Sequence, residues 1–352
     1  MIRIINAFIH PYRLPLQIPW RTARGEMCWR EGVLLELRGS NGYVGWGECA
    51  PLPAAGSETL GEALAGLELM LQRLAGVDLA AAWELLPKTP AACCALESAL
   101  LDLQAQESAV SITEQLGGER CSYLQVNAIG GDLLRGAELA AESALAGGFK
   151  LVKFKVGVAE PEQEAACLRQ LNDRFGDRLA WRLDANGAWD KRQAARFVEQ
   201  IDDLNIESLE EPLKQPEAQP LQELQARAPF PLALDESLPK LGMETALFFS
   251  AVRRWVLKPT VLGGPRSTQR WITTALAAGI KPVITTTLES AVGVAHCAQV
   301  AALLPDGIHG LATSGWYRED LARALPLQQG CLSLPARTGV GVAPHCKNKY
   351  RF

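Results

Sequence analysis

The chain has 352 residues, 48% of them hydrophobic and 21% charged, and carries 35 Lys and Arg against 39 Asp and Glu for a formal net charge of −4. That apolar content excludes disorder, and a slightly acidic chain without a long basic run is a poor binder of nucleic acid. The length suffices for one large domain or two medium ones, and no apolar stretch is long enough for a membrane helix.

Residues 1–115 read as an α+β module. Val33–Leu37 and Tyr43–Glu48 flank Asn41-Gly42, which predicts a type I′ hairpin. Pro and Ala punctuate Ala50–Gly56. Thr59 and Glu62 then have capping-box spacing, and apolar residues recur at helical period to Gly76. A second Ala/Leu-rich helix is predicted over Pro90–Gln106. From about Ser122 short apolar strands alternate with helices. Eight strands are predicted, at Leu124–Ala128, Leu151–Val156, Ala180–Asp184, Ile206–Glu210, Pro231–Asp235, Trp255–Lys258, Pro282–Thr287 and Ile308–Leu311. Alternating β and α implies a parallel sheet, and eight units favour a closed barrel over an open doubly wound sheet. No GxGxxG follows the first strand, so the dinucleotide signature of the open sheet is missing. The irregular tail, Leu321–Phe352, is expected to fold back onto the N-terminal module.

Nine cysteines, an odd number without a CxxC pair, point to a reducing compartment and not to a disulfide framework or a zinc site. The N-terminus lacks the design of a secretory signal, so a cytoplasmic location is expected. Four histidines form no HxH or HExxH cluster.

The chemistry lies in charged residues at the ends of apolar strands, where they are costly unless paired or metal-bound. Strand two carries Lys153 and Lys155 on one face. Strand three carries Arg182, Asp184 and Asn186 on one face. Strand four ends in Glu210-Glu211, strand five in Asp235 and strand six in Lys258. Asp184, Glu210 and Asp235 follow one another at intervals of 26 and 25 residues. Strand C-termini form the active face of such barrels. Carboxylates converging there repel one another and call for a cation, and an all-oxygen set suits Mg²⁺. Alternation lets only one of Glu210 and Glu211 point inward and does not say which. Taken singly, each acid is ordinarily a helix cap and each lysine a snorkelling edge residue; their joint order on five consecutive strands is what carries weight. Glu211 and Glu236 are taken as structural. Gly130-Gly131 and Gly263-Gly264 read as turns, with an anion site through backbone N–H groups as the alternative at 263–264.

With these residues in view, the chain resembles the enolase superfamily, in its muconate-lactonizing subgroup. The likeness includes Gly45-Trp46-Gly47-Glu48, Pro51-Leu52-Pro53 and the Ala95–Leu103 helix. It implies an α+β capping domain over residues 1–115, joined by the tail 321–352, on a modified TIM barrel of (β/α)7β type over 116–320. It also implies Mg²⁺ on Asp184, Glu210 and Asp235, which selects Glu210 over Glu211, with Lys155 and Lys258 as the catalytic pair. The chemistry shared by such enzymes removes a proton next to a carboxylate, giving an enediolate whose charge Mg²⁺ neutralises. Burial beside Mg²⁺ and a second lysine is expected to lower the pKa of the base.

Dipeptide epimerases of this subgroup usually carry Asp-x-Asp after strand eight, whereas this chain has Gly310 and Ala312 there. With the Thr-rich strand seven, this resembles the o-succinylbenzoate synthases. That resemblance implies a lyase performing a syn dehydration of a small dicarboxylate, 2-succinyl-6-hydroxy-2,4-cyclohexadiene-1-carboxylate, on the route to menaquinone or phylloquinone. Lys153, Arg182, Asn186, Thr285, Thr287 and Gly310 are the expected substrate contacts, and the loops 20–25 and 50–56 the expected lids. The alternatives are an N-acylamino-acid racemase or dipeptide epimerase using the same lysines, and a non-catalytic barrel scaffold. Neither nucleic acid nor membrane is an expected partner; a homo-oligomer is compatible with the sequence.

Overall fold

A computed structural model describes residues 2–22, 25–249 and 251–345. The N-terminal module is an antiparallel sheet of β1 (Ile4–Thr22), β2 (Gly25–Gly39) and β3 (Val44–Cys49), with helices over Leu60–Leu74 and Pro90–Glu107. Thr59 and Glu62 form the expected capping box. β3 lies so close to the second helix that a Cβ on Gly45 or Gly47 would sit 2.2 Å from the Ala99 carbonyl or 1.9 Å from that of Ala95. Glycine on the strand and alanine on the helix are therefore one packing solution. The turn between β2 and β3 departs from expectation. Gly42 N–H closes on the Gly39 carbonyl, and Gly42 (φ 85) is left-handed while Asn41 is not. This is the longer hairpin loop with a glycine bulge, not type I′, which needs both central residues left-handed.

The barrel strands are β4 (Tyr123–Val126), β5 (Ala128–Asp132), β6 (Leu151–Lys155), β7 (Ala180–Asp184), β8 (Ile206–Glu210), β9 (Leu232–Leu234), β10 (Arg254–Leu257), β11 (Lys281–Ile284) and β12 (Ile308–His309). β5 to β11 are hydrogen-bonded in sequence order as a seven-stranded parallel sheet. The predicted first strand is two pieces, β4 and β5, broken at Asn127. β12 closes the ring: Gly310 N–H donates to the Ile284 carbonyl, and Asn127 N–H to that of His309. This is a modified TIM barrel beneath a mostly stranded cap. Helices cover the outside; in that over Lys191–Ile201, buried Ala194, Phe197, Val198 and Ile201 form the inward stripe.

After the barrel come β13 (Leu327–Gln328) and β14 (Cys331–Ser333), with β14 antiparallel to β4. Val340 N–H then reaches Asp102 in the module's second helix. The hydrophobic core is a barrel cluster, a cap cluster, and a smaller junction cluster containing Tyr12, Leu34, Val292 and Tyr317. No helix among the described residues is long and apolar enough to cross a membrane.

Candidate active site

Three adjacent strands bring the carboxylates together. Asp184 ends β7, Glu210 ends β8, and Asp235 directly follows β9. All three are buried, and Asp184 and Glu210 are direct partners in the ladder. Lys153 Nζ donates to both Glu210 oxygens at 2.8 and 2.7 Å and lies 2.9 Å from Asp184 Oδ2. Lys155 Nζ donates to Asp184 Oδ2 and Asn186 Oδ1, each at 2.5 Å. Lys258, following β10, donates to Asp235. Lys153 and Lys155 thus enter from β6, and Lys258 from the other side of the acidic centre.

Burial would raise the Asp184 pKa, but Lys153 and Lys155 outweigh it and hold the carboxyl well below the usual range. Glu210 moves the other way, raised by burial and then by Asp184. Burial also raises Asp235, against the pull of Lys258. Burial disfavours the Lys258 ammonium, yet Asp235 beside it lifts its pKa above the ordinary lysine range. For Lys258 these neighbouring side chains therefore do not lower the pKa. The carboxylates do the reverse, and a cation taking up their charge is what would undo it.

Among the described residues no three Asp, Glu, His or Cys side chains stand as a ready ion cage. An ammonium occupies the bridging position instead: Lys153 Nζ spans Asp184 and Glu210 as a cation would. Buried carboxylate oxygens on neighbouring strands, already bridged by a positive charge, are a donor set that fits a hard divalent ion such as Mg²⁺.

The remaining predicted contacts divide. Asn186 (φ 45) accepts from Lys155 and donates to Glu236 Oε1 at 2.5 Å. Thr285 is paired with Gly310, and its buried hydroxyl finds no partner among the described residues. A Cβ on Gly310 would stand 2.7 Å from Thr285 Cγ2, so this corner admits no side chain there. Thr287 is engaged elsewhere, its N–H and hydroxyl both donating to Glu289. Arg182 shares a strand face with Asp184 but lies deeper in the barrel. Four of its N–H groups are committed, to Glu207 (2.9 and 3.0 Å), Asn127 (3.0 Å) and the Ile308 carbonyl (3.1 Å). Arg182 and the Thr287 hydroxyl, both expected substrate contacts, direct these donors to partners inside the protein. Glu211 (φ 43) accepts from Asp235 N, Ser237 N and Ser237 Oγ, fixing the chain after β9. Gly263 and Gly264 form the expected turn, both N–H groups donating to the Pro259 carbonyl, while Glu97 accepts from Arg266 N at the start of the next helix.

Of the expected lids, the tip of loop 20–25, residues 23 and 24, lies outside the described residues. Loop 50–56 sets Gly56 against Pro239 and Val261, just past the ends of β9 and β10. Sequence reasoning missed the polar joint beneath it. Glu48 accepts from Tyr12 Oη (2.5 Å), Ser290 N (2.8 Å), Ser290 Oγ (2.5 Å) and Gly293 N (2.7 Å). The available signal was a lone Glu at the end of an apolar strand.

Residues 4–117 match the mandelate racemase / muconate lactonizing enzyme N-terminal domain, and residues 136–348 match the enolase C-terminal domain-like family. An o-succinylbenzoate synthase from Desulfotalea psychrophila is 34% identical over 198 residues, which span 55% of this chain and only 54% of that protein. One from Enterobacter sp. is 30% identical over 330 residues, 91% of this chain and 94% of that one. A hydrophobic dipeptide epimerase from Roseobacter litoralis is 30% identical over 306 residues, 84% and 86% of the two chains. Among solved structures, muconate lactonizing enzyme from Pseudomonas fluorescens, complexed with muconolactone, superposes with a TM-score of 0.88 at 26% identity, covering 97% of this chain and 96% of that one. With both modules matched and the strand-end acids and lysines gathered at one barrel mouth, the chain belongs to the enolase superfamily, in its mandelate racemase / muconate lactonizing enzyme branch.

Proposed function

We propose that the protein is an o-succinylbenzoate synthase-like lyase that dehydrates 2-succinyl-6-hydroxy-2,4-cyclohexadiene-1-carboxylate. The observation that carries this is the corner formed by Thr285 and Gly310: a buried, unpartnered hydroxyl donor beside a position with no side chain. The hydroxyl can donate to a distal carboxylate, and neither Gly310 nor Ala312 supplies a carboxylate that would grip an ammonium. The full-length likeness to the Enterobacter synthase supports the same choice.

Lys155 and Lys258 take the catalytic roles, and Asp184, Glu210 and Asp235 the metal-binding ones. Mg²⁺ on these carboxylates would neutralise the negative charge that develops on the substrate carboxylate. Lys155 Nζ, aligned by Asp184 and Asn186, removes the ring proton. Lys258, from the opposite flank, stabilises the resulting anion through its positive charge and its attraction to the ring. Protonated Lys155 then donates to the departing hydroxide, and water leaves from the face on which the proton was taken. Lys153 adds positive charge on the same side. Cytoplasmic location and a place in quinone biosynthesis accompany this proposal.

Incubating the protein and Mg²⁺ with this cyclohexadiene should bleach its ultraviolet band, and Lys155→Ala should abolish the turnover without unfolding the barrel. A rate equal to buffer would reject the synthase. The opposed lysines also favour a second reading, racemisation or epimerisation with one acid and one base, in keeping with the Roseobacter relative. Exchange of α-deuterium in N-succinyl amino acids without any dehydration would select it.

A further inference from the structure

Arg30, on β2, is a buried arginine whose described hydrogen bonds all end on main-chain carbonyls. Nε donates to Leu288 (3.0 Å). Nη1 donates to Glu31 (3.0 Å) and Pro51 (2.8 Å), and Nη2 to Ala50 and Thr287 (3.4 Å). The acceptors come from three separate pieces of chain: β2 itself, the start of loop 50–56, and the end of strand seven. A guanidinium has five N–H donors in a rigid fork, so one side chain can hold three segments at fixed mutual spacing; an ammonium on a flexible stem cannot.

Both outer segments border the candidate site. Loop 50–56 leans over the ends of β9 and β10 through Gly56. The strand-seven end carries Thr285, whose hydroxyl is left open. Leu288 is left-handed (φ 61), a conformation a leucine keeps only where its surroundings over-determine it. Its carbonyl accepts both from Arg30 and from Tyr317 Oη (2.5 Å). None of its described hydrogen bonds goes to an acid or lysine of the acidic centre.

We propose that Arg30 is a positioning residue for substrate discrimination. It clamps loop 50–56 to the end of strand seven, so that the pocket reads the distal half of the substrate in one geometry. Only the identity of the substrate rests on the function proposed above; the clamp is a property of the free protein.

The test compares the wild-type full chain with Arg30→Lys and Tyr317→Phe by hydrogen exchange with Mg²⁺ present, and then by steady-state kinetics. Arg30→Lys should speed amide exchange about tenfold in both 50–57 and 286–290, whereas Tyr317→Phe should do so only in 286–290. With the cyclohexadiene substrate, KM should rise about tenfold in Arg30→Lys with kcat within about threefold, and the preference over N-succinyl amino acids should shrink. Wild-type exchange in either segment of Arg30→Lys, or a fall in kcat at constant KM, overturns the clamp. Should Arg30→Lys not fold, Tyr317→Phe decides: unchanged exchange in 286–290 with unchanged KM overturns it. If the wild type turns over neither substrate, the proposed function fails, and the exchange data alone judge Arg30.

Discussion

Glu48 offers a quantitative test of how the cap is seated. It is the penultimate residue of β3 and reaches the start of the helix over Ala291–Ala301, accepting from Tyr12, from Ser290 twice and from Gly293. Ser290 is the N-cap of the helix over Ala291–Ala301, so the carboxylate also sits at the positive end of that helix. Replacing Glu48 with Ala leaves the Tyr12 hydroxyl and the Ser290 and Gly293 N–H groups buried without an acceptor, at about 1–3 kcal/mol each. Burial also raises the Glu48 pKa, so deleting it recovers part of the cost of desolvating a carboxylate. The net loss should be about 3–5 kcal/mol for Glu48→Ala. Glu48→Gln, which keeps the shape but turns an NH₂ toward donors, should lose about half as much. Urea unfolding followed by tryptophan fluorescence measures both, with Trp46 two residues from the substitution. At about 2 °C per kcal/mol for a chain of this size, Glu48→Ala should also melt some 6–10 °C lower. A loss below about 1 kcal/mol in both variants would show that the joint is solvated, and the reasoning from buried unsatisfied donors would be refuted.

His309 is fully buried, with Nδ1 accepting from Ile284 N (3.2 Å) and Nε2–H donating to the Leu304 carbonyl (3.0 Å). Burial, aided by Arg182, lowers its pKa to about 4. The unfolded chain then binds the extra proton first, so this residue's contribution to stability is present above about pH 6.5 and is lost as pH falls toward 4. A ring titration by NMR with its midpoint near 6.5 would contradict this. Glu207 pairs with both Arg182 and Arg254 inside the barrel. Glu207→Gln leaves two buried guanidiniums without an anion and should cost about 3–5 kcal/mol in urea unfolding; a neutral effect would show that solvent reaches them. Adding Mg²⁺ to metal-free protein should raise its melting temperature, by about 2.7 kcal/mol of stability at a hundredfold excess over Kd. Asp184→Asn should lose that shift; if it keeps the full shift, Asp184 is not a ligand.

Much of the barrel was legible in one dimension because parallel strands between helices are short, apolar and evenly spaced. Ala180–Asp184 and Ile206–Glu210 stand at their predicted bounds. The capping box at Thr59 and Glu62 is local chemistry and needed no tertiary partner. The hairpin at Asn41-Gly42 was placed correctly and mistyped, since the dipeptide permits both loop forms and the strand register selects one.

Strand alternation assigns a face and not a depth. Arg182 and Asp184 share a face, yet one is locked among Glu207, Asn127 and Ile308 while the other meets two lysines at the barrel mouth. Thr285 and Thr287 look equivalent in sequence, and only the fold shows that Glu289 takes the hydroxyl of the second. The joints made by Glu48 and Arg30 were unreadable for a related reason. Each has partners more than 200 residues away, and a buried charge declares itself only when its neighbours are known. Sequence alone thus determined which residue types reach the mouth of the barrel, through a backbone period that is local. The tertiary structure decided which of their donors and acceptors remain open, because hydrogen-bond satisfaction depends on every segment that arrives.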